Sequence, residues 1–209
     1  MPESKANIIL ASRSMARRRM LNSAGLEFKC VAADLDEGAI TEKLLEKKTP
    51  VEKIAATLAR EKALHIAKGY PTSLIIGADQ TLDFEHGVLS KADSLMDARE
   101  KLKILRGKTH RLVSAVCVVR GGEIMWEATD SAELTMIDFD DDYLESYIGA
   151  AGDALTHSVG AYEIENEGVK LFSDIKGDTD TILGLPLSKL LDYLTQELGV
   201  ELNGEPDEH

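Results

Sequence analysis

The sequence predicts an α/β protein built on a mixed, twisted β-sheet with flanking helices. Three observations predict it. Short apolar runs alternate with helical periodicity in the first half of the chain, as βα units do. The middle holds consecutive β-rich runs joined by a tight turn, which a uniformly parallel sheet does not accommodate. The chain of 209 residues is 44% hydrophobic and 29% charged, the balance of a globular protein that buries a core without staples.

Each element follows from local pattern. Residues 7–11 (NIILA) read as a buried strand, and 16–24 as a helix. Residues 27–32 suggest a second short strand before the acidic loop 34–37. The clearest helix is 51–68, where Val51, Ile54, Ala55, Leu58, Ala59, Ala63 and Ile66 fall at helical spacing. Residues 73–78 (SLIIGA) read as a strand with Asp79 at its carboxyl end. A turn is expected at His86-Gly87. Asp93 or Ser94 can cap a helix ending near Leu105. Residues 111–120 and 123–129 form a hairpin across Gly121-Gly122, and 132–137 add another strand. Residues 140–148 look helical, and a last helix runs over 187–198 with Pro186 at its start. A single domain over 1–200 is expected, followed by a loose acidic tail, 201–209.

Composition excludes several functions. The net charge of −13 disfavours nucleic acid polymers and anionic membranes as partners. No apolar run approaches the roughly 18 residues that span a bilayer, and the N-terminus lacks the apolar core of a signal peptide. Two cysteines, Cys30 and Cys117, are too few and too scattered for a disulfide framework or a cysteine zinc cage. A reducing, cytoplasmic setting is therefore expected.

Against this acidic background Arg13 and the run Arg17, Arg18 and Arg19 stand out. A strand, then Ser12-Arg13-Ser14, then a helix carrying Arg17 and Arg18, can grip a phosphate through hydroxyls, guanidinium forks and free backbone N–H groups. A solvated helix face explains the charges equally well. Lys62 lies on the apolar stripe of its helix and must either snorkel or meet a partner. Asp79-Gln80 at a strand end can orient water or hold Mg²⁺, or can simply cap a turn. Asp34, Asp36 and Glu37 offer oxygens to Mg²⁺, or form a solvated run. Lys91 is a second lysine near a strand end, and His110 opens a strand, where a structural role is the commoner one. Taken together, cations for phosphates, carboxylates for a metal and one carboxylate for water suit hydrolysis of a nucleoside triphosphate.

An ordered set of motifs resembles the Maf family of nucleotide pyrophosphatases. It comprises Leu10-Ala11-Ser12-x-Ser14-x-x-Arg17-Arg18, Asp36-Glu37, Ala59-x-x-Lys62-Ala63, Gly77-Ala78-Asp79-Gln80 and Leu89-Ser90-Lys91. Gly107-Lys108-Thr109-His110, Gly160-Ala161-Tyr162 and Gly184-Leu185-Pro186-Leu187 complete it, over roughly 8–198. The resemblance implies two lobes around a cleft, and cleavage of a nucleoside triphosphate to the monophosphate and pyrophosphate. It further implies a divalent metal, Mg²⁺ or Mn²⁺, and is compatible with a homodimer. By position it makes Asp79 the catalytic base, gives phosphate binding to Ser12, Arg17, Arg18, Lys62 and Lys91, and makes Glu37 a metal ligand. Three positions tied to base selectivity fall on Ala16, Gln80 and Glu165. Gln80 with Glu165 is similar to the branch acting on 7-methyl-GTP. The dTTP/UTP branch usually has Thr and Gln there, and both branches carry a large Arg or Trp where this chain has Ala16. The alternatives are that second substrate class, or a nucleotide-binding regulator of septum formation with incidental hydrolysis.

Overall fold

The computed structural model describes residues 7–203 except 86 and 166. The expected turn at His86 and most of the expected acidic tail therefore lie outside the described residues. In chain order the elements are β1 (Ile8–Ala11), α1 (Met15–Ser23), β2 (Lys29–Cys30), α2 (Glu37–Glu46) and α3 (Val51–Ala67). Then come β3 (Leu74–Phe84), β4 (Gly87–Leu89), α4 (Leu95–Leu105), β5 (Thr109–Arg120), β6 (Glu123–Met136) and α5 (Asp141–Ala151). The chain closes with β7 (Phe172–Lys176), α6 (Thr179–Ile182) and α7 (Leu187–Asp192).

The sheet is mixed, as the sequence predicts. Its strand order is β2-β1-β3-β5-β6-β7, with β4 paired to β3 beside this path. β1 runs parallel to β2 and β3, whereas β3 with β4 and β6 with β7 are antiparallel. No helix among the described residues is long and apolar enough to cross a membrane.

The chain divides into two compact units. One holds the described residues up to Asp79, Ser114–Asp130, and those from Leu183 onward; the other holds Gln80–Val113 and Ser131–Ile182. Each has its own core. In the first, Leu10, Leu21, Ile76, Val118, Leu185 and Leu190 pack together. In the second, Leu82, Leu102, Leu134, Met136, Leu144 and Leu155 do so. Burial of such side chains contributes about 1.5–3 kcal/mol each, which is what holds either unit together.

In the first unit α3 lies unusually close to β3. A Cβ on Gly77 would stand 2.1 Å from the Ala59 carbonyl oxygen and 2.8 Å from the Ala63 nitrogen. Glycine on the strand and alanines on the helix let the two backbones touch. That contact brings Lys62, between the two alanines in sequence, against Asp79, two residues further along the strand.

Several elements differ from their expected bounds. The polar run Asp79-Gln80-Thr81 looks like a strand end, but β3 continues to Phe84 because Asp79 and Thr81 are buried and the strand goes on to pair with β4. The two strands expected over 123–137 are one, β6. The second strand shrinks to Lys29–Cys30. Helix α2 has no fully buried residue, and half-buried Ile40 and Leu44 make too short a stripe to announce it. The last helix keeps α-form only over Leu187–Asp192 and continues as a π-turn, Tyr193–Glu197. At the chain's far end, the Asn203 amide donates to the Gly25 carbonyl at 2.9 Å and its side chain to Glu27 at 2.7 Å.

Candidate active site

Two carboxylates of the first unit meet at one ammonium group, with the Arg17 guanidinium close enough to act on both. The Lys62 Nζ lies 2.6 Å from Asp79 Oδ1 and 2.9 Å from Glu37 Oε2. Lys62, Asp79 and Arg17 are 7%, 6% and 8% exposed, so this is an ionic cluster inside the fold, not a solvated face. Lys62 thus meets partners instead of snorkelling.

Local sequence explains each placement. Ser14 caps α1, its Oγ accepting from the Arg17 amide at 3.3 Å, and α1 turns Arg17 inward while Arg18 stays exposed. Arg17 is then locked in place. Its Nε donates to the Gly184 carbonyl at 2.7 Å, and its Nη1 donates to the Ala78 carbonyl at 3.0 Å and to Ser12 Oγ at 3.2 Å. Asp36 caps α2, accepting from the Ala39 amide at 2.9 Å, and so places Glu37 in the first helical turn. The side chain of Glu37 is 47% exposed, at the wet margin of the cluster.

Burial dominates the electrostatics. It pushes the Asp79 carboxyl above its usual range, although Lys62 and Arg17 pull the other way and Glu37 adds to the rise. It likewise lowers Arg17, against the attraction of Asp79 and Glu37. Four groups with two charges of each sign balance, so the buried Asp79 carboxylate is not an isolated charge. Two carboxylates converging on one cation also form the kind of oxygen donor pair that Mg²⁺ or Mn²⁺ accepts, provided a substrate's phosphates and water complete the shell. Among the described residues no three His, Cys, Asp or Glu side chains group into a fuller cage.

The remaining candidates are placed as follows. Ser12 and Ala16 are half-buried in the first unit, Ser12 bonded to Arg17. Lys91, Gln80, Glu165 and His110 belong to the second unit. Gln80 donates its amide to the Thr181 and Ile182 carbonyls, at 3.0 and 2.9 Å, so its rotamer is fixed. Glu165 is exposed. His110 is buried against Tyr162, with its Nε2 2.6 Å from the phenol oxygen. Sequence reasoning missed Lys101, a buried lysine on α4 that donates to the Lys91 carbonyl at 3.3 Å and contacts Asp97. Its spacing, three residues after Ala98 and four before Leu105, puts it on the apolar side of α4 and is the signal the sequence offers.

A profile of the Maf-like protein family matches residues 7–197. The chain belongs to the Maf-like protein family. Among curated relatives, a nucleoside triphosphate pyrophosphatase of Caulobacter vibrioides is 47% identical over 187 residues, which cover 90% of this chain and 94% of the relative. The 7-methyl-GTP pyrophosphatases of Brucella abortus and Rhizobium etli are 40% and 42% identical, covering 91% and 92% of this chain and 96% of each relative. The Maf-like match spans both units and takes in every candidate residue named above.

Proposed function

We propose that this Maf-like chain is a metal-dependent nucleoside triphosphate pyrophosphatase that releases a nucleoside monophosphate and pyrophosphate, with 7-methyl-GTP as its preferred substrate. The observation that carries the reading is the buried Lys62 ammonium shared by Asp79 and Glu37 beside Arg17, in a chain of this family.

In this reading Asp79 takes the proton from the water that attacks the α-phosphorus. A carboxyl lifted by burial is a better base near neutral pH than an ordinary one. Lys62 orients it through Oδ1 and, with Arg17, Ser12, Arg18 and Lys91, neutralises phosphate charge. Glu37 would hold the divalent cation, whose contribution is to neutralise the triphosphate. Gln80 and Glu165 are assigned to the base. The 7-methylguanine ring carries a positive charge and an N1–H and N2 amino edge, and the Glu165 carboxylate offers an acceptor and a counter-charge to both. The names of the Brucella and Rhizobium relatives support this substrate, while the Caulobacter relative's name leaves the base open.

A pyrophosphate-release assay over 7-methyl-GTP, GTP, dTTP and UTP, with and without Mg²⁺ or Mn²⁺, tests the reading. Metal-dependent release with preference for 7-methyl-GTP is expected. Asp79→Asn should still bind nucleotide but lose about 10³-fold in kcat. An unchanged kcat in that variant removes Asp79 from the mechanism. Nucleotide affinity without metal-dependent release in the parent protein returns the chain to a nucleotide-binding regulator.

A further inference from the structure

Glu165 stands in a segment whose two ends are fastened by rings. Tyr162, just before it, and Phe172, just after it, meet edge to face with centroids 4.8 Å apart. His110 packs on both, at 5.6 Å from Tyr162 and 5.9 Å from Phe172. Its Nε2 and the Tyr162 hydroxyl form a 2.6 Å hydrogen bond. The approach to Tyr162 is tightly specified. Ala161, fully buried, takes a left-handed φ of +55°, which L-residues other than Asn and Asp rarely adopt. Gly160 has no room for a side chain, since a Cβ there would lie 2.2 Å from Tyr162 Cε1. The Tyr162 amide donates to Ser158 Oγ at 3.0 Å. On the far side, a Cβ on Gly168 would lie 2.2 Å from the Glu163 carbonyl oxygen, so the segment also closes on itself.

This arrangement is a poor way merely to fill a core. His110 is 2% exposed and its Nδ1 has no hydrogen-bond partner among the described residues. An apolar pair of the same shape would leave no buried polar atom unpaired. What the His–Tyr bond adds is direction: one ring position for Tyr162, and through a strained, glycine-flanked turn, one course for the backbone that carries Glu165.

We propose that His110 and Tyr162 are positioning residues that set selectivity for the nucleobase by fixing the segment that presents Glu165. The proposal rests on the reading that Glu165 contacts the base. It gives a role to two motifs, Gly107-Lys108-Thr109-His110 and Gly160-Ala161-Tyr162, that the proposed chemistry leaves unused.

Tyr162→Phe keeps the ring and removes only the hydroxyl. The readout is the ratio of kcat/KM for 7-methyl-GTP to that for GTP, measured in the parent, Tyr162→Phe, Glu165→Gln and the double variant. Expected is a fall in the ratio of about fivefold for Tyr162→Phe, carried by KM, with kcat on GTP unchanged. In the Glu165→Gln background the same substitution should change the ratio no further. An equal loss of kcat on both nucleotides with an unchanged ratio marks a merely structural bond and overturns the proposal. So does additivity of the two substitutions, which would show the hydroxyl acting elsewhere. If Glu165→Gln alone leaves the ratio untouched, the premise about the base fails and the proposal with it. Metal-dependent pyrophosphate release in that variant would leave the catalytic reading standing.

Discussion

Lys62 and Asp79 in the first unit are about as buried as His110 and Tyr162 in the second, yet the two pairs are opposites. The first is ionic and lies among further ions, Arg17 and Glu37. The second is neutral at pH 7 and well below it, because burial lowers the imidazole to about 4 and pushes the phenol further up. A buried ionic cluster is seldom the most stable filling for its volume, since well-packed apolar side chains often do as well or better. Its presence points to chemistry that needs charge in a sheltered place. A neutral hydrogen-bonded pair adds little charge but much direction, which suits holding a segment in one course. Stability and function are therefore linked differently in the two units, and substitutions should separate them.

Lys62→Met should have the largest effect on stability. It takes the bonded ammonium away from a buried Asp79, and breaking such a pair from one side costs about 3–5 kcal/mol. Urea denaturation should show this, and Lys62→Met combined with Asp79→Asn should recover most of it because no lone charge then remains. A cost under about 1 kcal/mol, the range of exposed pairs, would mean that the cluster is solvated in solution and the contrast between the units false.

The next effect is in the pH dependence, where the two regions run in opposite directions. Burial holds His110 at about 4, against 6.5 for the free side chain. Below pH 6.5 the unfolded chain binds a proton that the folded chain refuses until about pH 4. Stability is thus full above pH 6.5 and lost as the pH falls to about 4, by about 3 kcal/mol. The Asp79 carboxyl is displaced upward, so its contribution is present at low pH and fades as the pH rises above the usual carboxylate range. Denaturation midpoints at pH 7 and 4.5, compared between the parent and His110→Phe, should show the acid-side loss in the parent and most of it abolished in the variant. Equal acid sensitivity in both would place the buried proton acceptor elsewhere.

Much of this contrast was legible in the sequence, but unevenly. Strongly periodic segments such as α3 announce themselves, and so did the strand cores around Ile9, Ile76 and Val116. Helix α2 did not, because its apolar side is only half-buried Ile40 and Leu44, too few to make a period. The sequence alone ends β3 near Asp79, because polarity normally marks a strand's end, whereas the strand runs on to Phe84. The partners that make burial of Asp79 tolerable, Lys62 and Arg17, come from α3 and α1, far away in sequence. For the same reason composition could not decide between a snorkelling and a paired Lys62. That choice depends on Gly77 admitting the helix backbone, a property of two segments together. The motif resemblance named the residues. It did not foretell that Arg17 is locked by three acceptors, that Lys101 braces the Lys91 backbone, or that His110 holds Tyr162.

The smallest effect asks how the ionic cluster is kept in shape. Ser14 and Ser12 both serve Arg17, but at different levels: Ser14 Oγ caps the helix at the Arg17 amide, whereas Ser12 Oγ accepts from the guanidinium itself and from the Ser14 amide. Removing the cap with Ser14→Ala should cost about 1 kcal/mol in urea denaturation. The Arg17 side chain keeps its bonds to Gly184, Ala78 and Ser12, so pyrophosphate release should change less than about twofold, far below the loss expected for Asp79→Asn. If Ser14→Ala instead lowers kcat by orders of magnitude at little cost in stability, the helix start itself takes part in the reaction. The division between charge that reacts and hydrogen bonds that merely position would then fail inside the first unit.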